Sequence, residues 1–222
     1  MEGGHHWDRW FLNNQTRIIA TRNRKRFFES GRVDYEALQT RAGIQPPLGR
    51  VLEIGAGVGR MSLWIAQDAA QLVCLDHSPQ ILRHCENLFS DHKHVSTVLG
   101  SAEALECFPT GSFDFVFSWC VFQHIPDRAE IERYVYETVR LLSPTGIALH
   151  QFRLGGFRIL LHQLAADFIR IPTRMPKFHR HWRGLRFDMP EIERLAHEVV
   201  VGRTWDIFVD RPHAYLIIGQ LT

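Results

Sequence analysis

The stretch Val51-Leu52-Glu53-Ile54-Gly55-Ala56-Gly57-Val58-Gly59-Arg60 decides how the rest of the chain is read. An apolar run carrying an acid near its end meets three glycines at alternate positions. A helical pattern then opens at Arg60 and runs to Ala70, with Met61, Leu63, Trp64 and Ile65 as its apolar residues. Small residues at such a turn let the backbone reverse tightly and approach a ligand closely, while the helix behind presents unpaired N–H groups. The Glu53 carboxylate, two residues before Gly55, would repel a pyrophosphate and suits a ligand bearing an ammonium or a sulfonium. The spacing is G-x-G-x-G, not the G-x-G-x-x-G of dinucleotide sites. The next apolar run, Gln71–Leu75, ends in Asp76. An acid there, roughly 20 residues past the loop, can accept hydrogen bonds from both hydroxyls of a ribose.

Outward from this turn, short apolar runs alternate with helical patterns. Strands are expected at 50–54, 71–75, 94–99, 112–117 and 147–152. Ser78-Pro79 supplies an N-cap and a first-turn proline for a helix to about Phe89, and a second helix runs from about Arg128 to Leu142. This alternation implies a mostly parallel sheet with helices on both faces. Two closing strands at 204–209 and 214–220, joined only by Asp210-Arg211-Pro212, must be antiparallel, because a parallel crossover needs a dozen residues or more. The fold class is therefore α/β, a doubly wound, Rossmann-like sheet of about seven strands with the last one antiparallel.

Before the sheet, helical spacing covers 7–31, with Gly31 as its stop, and a second short helix covers 34–42. Pro46-Pro47-Leu48-Gly49 separates this N-terminal cap, residues 1–47, from a domain spanning 48–222. An insertion at about 155–188 reads as a helix to Ile169 and then an irregular segment. Pro190 opens the following helix.

At the level of several motifs in order, residues 48–153 resemble the class I S-adenosylmethionine-dependent methyltransferases, of the small-molecule type. Glu53 to Gly59 is similar to that family's first motif, and Asp76-His77-Ser78 to the acidic end of its second strand. Gly100-Ser101-Ala102-Glu103-Ala104-Leu105, Ser112 to Ser118, and Trp119 through Gln123-His124-Ile125-Pro126-Asp127 continue the likeness. The resemblance implies S-adenosyl-L-methionine as cofactor. Glu53 and the backbone of Gly55, Ala56, Gly57 and Gly59 would hold its methionine part, with Arg60 pairing its carboxylate. Asp76 would take the ribose, His77 would flank the adenine, and Ser101, Ala102 and Glu103 would read its edge. Ser118 and Trp119 would lie at the methyl end. Many relatives carry Asp where Ser101 stands.

For chemistry, His124 is the first candidate base and His150 the second; a base is needed only when the acceptor carries a proton. Small-molecule O-methyltransferases of this type often place a histidine where this chain has Gln123. Trp7, Trp10, Gln123, Arg153, Arg174 and Arg180 are candidate substrate-binding residues, the two tryptophans as parts of a lid. The insertion carries Arg170, Arg174, Lys177, Arg180, Arg183 and Arg186 without an acid between Phe168 and Phe187. Arginines grip carboxylate or phosphate bidentately, which points to a small anionic acceptor. An RNA methyltransferase, a protein that binds the cofactor without methyl transfer, and a nicotinamide-dependent oxidoreductase are the rival readings.

Composition narrows the field further. The 222 residues carry 26 Lys+Arg against 24 Asp+Glu, a net +2, so no overall charge announces a nucleic acid or a membrane. No apolar run approaches the roughly 20 residues of a membrane span, and Met1 to His6 lacks a signal-like pattern, so a cytoplasmic location is expected. Cys74, Cys85, Cys107 and Cys120 form no C-x-x-C pair and no H-E-x-x-H occurs, so no metal site is expected.

Overall fold

The alternation of side chains along β1 (Leu48–Ile54) and β2 (Ala69–Asp76) sends them to two different cores. Leu52, Ile54, Val73 and Leu75 join one buried cluster; Val51, Leu72 and Cys74 join the other. Strands buried on both faces read as near-continuous apolar runs, which is why these two stood out in the sequence. The computed structural model describes residues 21–155 and 185–222.

The remaining elements follow in chain order. Helix α1 is Thr21–Ala42; after β1 come α2 (Ser62–Asp68), β2, α3 (Pro79–Leu88) and β3 (Val95–Leu99). A 3-10 turn, Ala102–Cys107, leads to β4 (Phe113–Ser118), and a second, Phe122–His124, leads to α4 (Arg128–Leu141) and β5 (Leu142–Arg153). Past the insertion lie α5 (Met189–Val199), β6 (Arg203–Asp210) and β7 (His213–Leu221). The caps are chemical: Ser78 Oγ accepts from Ile81 N, and Asp188 and Glu191 form a reciprocal capping box that starts α5.

All seven strands form one sheet in the order β3-β2-β1-β4-β5-β7-β6. β1 to β5 pair in parallel; β7 runs antiparallel between β5 and β6. Helices α1, α2 and α3 cover one face through Tyr35, Leu38, Ile65 and Leu82, while α4 and α5 cover the other through Ile131, Val135, Ile192 and Leu195. The chain leaves β1 in one direction toward β2 and β3, then returns to β4 on its other side. A crevice opens at the carboxyl ends of the strands where such an order reverses.

Three local expectations change. Gly31 does not stop a helix: α1 passes through it without a break to Ala42. Its glycine is required by a distant neighbour, since a Cβ there would lie 2.1 Å from the carbonyl oxygen of Arg60. The helix expected from Arg60 to Ala70 is only Ser62–Asp68, because Ala69 is drawn into β2 by pairing with Leu48. β5 begins at Leu142, directly off α4, well before the expected Ile147. Trp7, Trp10, Arg174 and Arg180, and most of the expected insertion helix, lie outside the described residues. Among the described residues no helix is long and apolar enough to cross a membrane, and no group of His, Cys, Asp and Glu is arranged to hold a metal.

Candidate functional site

The glycine turn hangs from the end of β2: the N–H groups of Gly55 and Ala56 both donate to Leu75 O, at 2.8 and 2.9 Å. Gly55, Gly57 and Gly59 all adopt positive φ, at 75°, 61° and 84°. They answer to different constraints. A Cβ on Gly55 would meet Val121 Cγ2 at 2.4 Å, and one on Gly59 would meet Leu88 Cδ2 at 2.8 Å. A Cβ on Gly57 would meet nothing within 4 Å, so this glycine faces open space. That is the cradle a closely approaching ligand needs.

Two acids flank the cradle. Glu53 is buried, and its carboxylate accepts from Ser62 Oγ at 2.5 Å, which fastens the strand end to the first residue of α2. Burial pushes its pKa up to about 7, offset in part by the Ser62 hydroxyl and by Arg60, while Asp76 pushes it up further. Asp76 accepts one backbone N–H on each oxygen, from Gly57 and from Ser78, both at 2.9 Å. Burial again raises its pKa, against those same N–H groups. Each oxygen keeps a lone pair, so Asp76 holds the glycine turn in place and retains capacity to accept from a ligand.

The other expected cofactor residues lie around these. His77 is exposed, its Nδ1 3.7 Å from Asp76 Oδ1. Gly100 N donates to Asp76 O, which brings Ser101 beside the acid. Ala102 is fully buried. Glu103 is exposed and drawn below the usual carboxylate range by the Ser101 hydroxyl, with Arg133 3.8 Å away. Arg60 turns toward α1, pairing with Asp34 at 2.6 Å.

At the end of β4, Ser118 is buried with its Oγ 3.0 Å from His150 Nδ1. His150 has no exposed surface, stacks on Phe122 at 5.1 Å, and leaves its Nε2 without a partner. Burial alone drives its pKa down to about 3, so the ring is neutral and presents no face to an acceptor. His124 sits on the turn after β4, its Nε2 3.0 Å from the Gln123 amide nitrogen, and Gln123 O accepts from Leu185 N at 2.7 Å.

Sequence reasoning missed the group that fixes this turn. Cys120 is the one described non-glycine residue at positive φ, 60°, and its N–H donates to the buried Gln151 Oε1 at 2.8 Å. Gln151 in turn donates to Tyr215 OH at 3.2 Å. Tyr215 lies against Trp119, ring centroids 5.5 Å apart, and under the Arg41 guanidinium, 4.7 Å away. Only the β5–β7 register, which sets Gln151 opposite Tyr215, exposes this relation.

Residues 52–150 match a family model described as a methyltransferase domain. Over this span, a little under half of the chain, the sequence is similar to methyltransferase domains. Among curated proteins, the chain is 31% identical over 83 residues to phosphoethanolamine N-methyltransferase 3 of Arabidopsis thaliana, covering 37% of the chain and 17% of that relative. It is 31% identical over 154 residues to the ubiquinone biosynthesis O-methyltransferase of Xanthomonas campestris pv. campestris, strain B100, covering 68% of the chain and 61% of that relative. The chain thus spans less than two thirds of the length of these relatives. A solved Pyrococcus horikoshii protein matches the fold with a TM-score of 0.63 at 19% identity, covering 96% of this chain and 98% of its own. Phosphoethanolamine N-methyltransferase 2 of Haemonchus contortus, solved with phosphomonomethylethanolamine and S-adenosylhomocysteine, matches with a TM-score of 0.60 at 16% identity, covering 84% of this chain and 52% of its own.

Proposed function

We propose that the protein transfers a methyl group from S-adenosylmethionine to a small anionic metabolite, on oxygen, nitrogen or carbon. The observation that carries the reading is the pairing of a buried carboxylate, Glu53, with an open glycine, Gly57, on one turn. A buried acid at this point repels a diphosphate and attracts an ammonium, so the turn fits an amino-acid-tailed nucleoside. Gly57 gives the ligand room to approach the backbone, and the remaining lone pairs of Asp76 suit the ribose hydroxyls. The cofactor supplies an electrophilic methyl group on a sulfonium.

The chain's own task is then alignment and exclusion of water. Gln151 fixes the turn at Cys120, and Val121 packs against Gly55, so the loop after β4 is held against the glycine turn. Trp119 supplies an apolar wall in which quenching of a cation is favoured. His150 acts as a positioning residue for Ser118, which leaves His124 as the candidate base for acceptors that carry a proton. The anionic acceptor class draws on the arginines of the insertion and on the relatives named for phosphoethanolamine and for ubiquinone biosynthesis.

The test is release of S-adenosylhomocysteine when the protein and S-adenosylmethionine are offered phosphoethanolamine, hydroxybenzoates and uncharged analogues. Turnover with an anionic member and none with its uncharged analogue is expected. Turnover confined to uncharged acceptors, or to RNA, contradicts the proposal.

A further inference from the structure

The face of the sheet under α1 changes character at the carboxyl end of β5. Register places Leu149 opposite Ile217, Gln151 opposite Tyr215, and Arg153 opposite His213. Residues two apart share a face, and directly opposed side chains lie about 5 Å apart at Cβ. An apolar floor therefore ends in a polar rim of Gln151, Tyr215, Arg153 and His213. The His213 and Tyr215 rings are 6.4 Å apart, which agrees with that arrangement.

The charges on this rim do not cancel. Arg41, from α1, is held by Asp210 at 2.5 Å and lies over the Tyr215 ring. Arg60 is held by Asp34. Arg153, half-buried, meets no carboxylate among the described residues. Leaving a guanidinium partly desolvated and unpaired is costly unless an anion joins it. The groups facing His213 are Arg153 from β5, Arg41 from α1 and Asp210 from β6. Desolvation and the two arginines hold its imidazole below its ordinary pKa, against Asp210, whose charge is already engaged by Arg41.

The rim also adjoins the glycine turn. The Cys120 N–H donates to Gln151 Oε1 on this rim at 2.8 Å. Cys120 in turn directly precedes Val121, which packs on Gly55. An anion on Arg153 would thus sit beside the loop that follows β4.

We propose that Arg153 and His213 form the oxyanion subsite of the acceptor pocket, gripping a carboxylate or phosphate-like group, with His213 taking up a proton as the anion enters. The proton comes from bulk water and rests on the imidazole nitrogen; no other bond forms or breaks. The inference rests on the methyl-transfer reading only for calling the pocket an acceptor pocket. It names the residues that read the charge and makes binding of that charge dependent on pH.

Calorimetric titration of the full chain with sodium sulfate and with sodium benzoate, with and without S-adenosylhomocysteine at constant ionic strength, tests it. Neither anion titrates between pH 6 and pH 8, so any dependence belongs to the protein. At least one anion is expected to bind, more tightly at pH 6 than at pH 8. Sulfate alone would mark a phosphate-like ligand and benzoate alone a carboxylate. Arg153→Met should weaken binding about 10-fold or more at both pH values, and Arg153→Lys should restore part of it. His213→Gln should match the wild type at pH 8 and lose the gain at pH 6. No binding of either anion to a protein that binds S-adenosylhomocysteine would overturn the subsite alone, as would unchanged affinity in Arg153→Met. Anion binding that follows both variants in a protein that ignores S-adenosylhomocysteine would uphold the subsite and overturn the methyl-transfer reading.

Discussion

Replacing Glu53 by Gln isolates the charge on which the glycine turn depends. The side chain is fully buried, and its pKa stands at about 7 against an ordinary 4.5. With the folded-state value above the unfolded one, the native protein holds the extra proton between these pH values. Stability of the free protein therefore falls as pH rises through that window. The difference of about 2.5 units corresponds to roughly 3 kcal/mol lost by pH 8. Glutamine keeps an oxygen to accept from Ser62 and carries no charge, so Glu53→Gln should be more stable than the wild type at pH 8 by up to roughly 3 kcal/mol, with little advantage at pH 5. Urea unfolding at the two pH values measures this directly. Cofactor binding should move the other way, because an ammonium needs the ionised acid. Wild-type affinity for S-adenosylhomocysteine should rise about fivefold from pH 6 to pH 7, below the range where an α-amino group titrates, and the variant should be weak and flat. A stability difference identical at pH 5 and pH 8 would refute the burial argument, and a variant that binds as tightly as the wild type would refute the electrostatic role.

Other substitutions probe the frame around the site. Gly31→Ala gains about 1 kcal/mol of helix propensity, yet its Cβ would lie 2.1 Å from Arg60 O, so the thermal midpoint should fall; a rise would show that α1 and the glycine turn are not in contact. Gly57→Ala should cost only about 1 kcal/mol of stability from its positive φ, while cofactor affinity drops more than 10-fold; intact affinity would show that no ligand approaches this backbone. Arg203 donates from the edge of the sheet to Leu142 O at 2.6 Å, Ser143 O at 3.0 Å and Gly219 O at 3.2 Å. Arg203→Met should therefore lower unfolding free energy by on the order of 3 kcal/mol, and an unchanged denaturation midpoint would count against it.

The parts of this molecule legible in its sequence are those whose causes are local. The glycine turn, the acid at Asp76, the Ser78 cap and the antiparallel hairpin at Asp210–His213 each follow from a few adjacent residues. Gly31 reads as a stop in the sequence, yet the reason for a glycine there is the backbone of Arg60, 29 positions away in sequence and touching in space. His150 reads as a candidate base from its place at a strand end, but the pleat turns it onto Phe122 and into the core. Its neighbours Gln151 and Arg153 point the other way, and only the register with β7 discloses that they meet Tyr215 and His213. Arg41 carried no signal, since nothing in α1 announces the aromatic rings of Trp119, Phe208 and Tyr215 around its guanidinium.

The central claim is that the crevice between the glycine turn, Asp76 and the loop after β4 holds S-adenosylmethionine. A crystal structure of the protein grown with S-adenosylhomocysteine measures it most directly. The ligand's ammonium is expected within hydrogen-bonding distance of Glu53, its backbone contacts at Gly57 and its ribose hydroxyls on Asp76. An empty crevice at saturating ligand, or a dinucleotide diphosphate seated on the glycine turn, would contradict it.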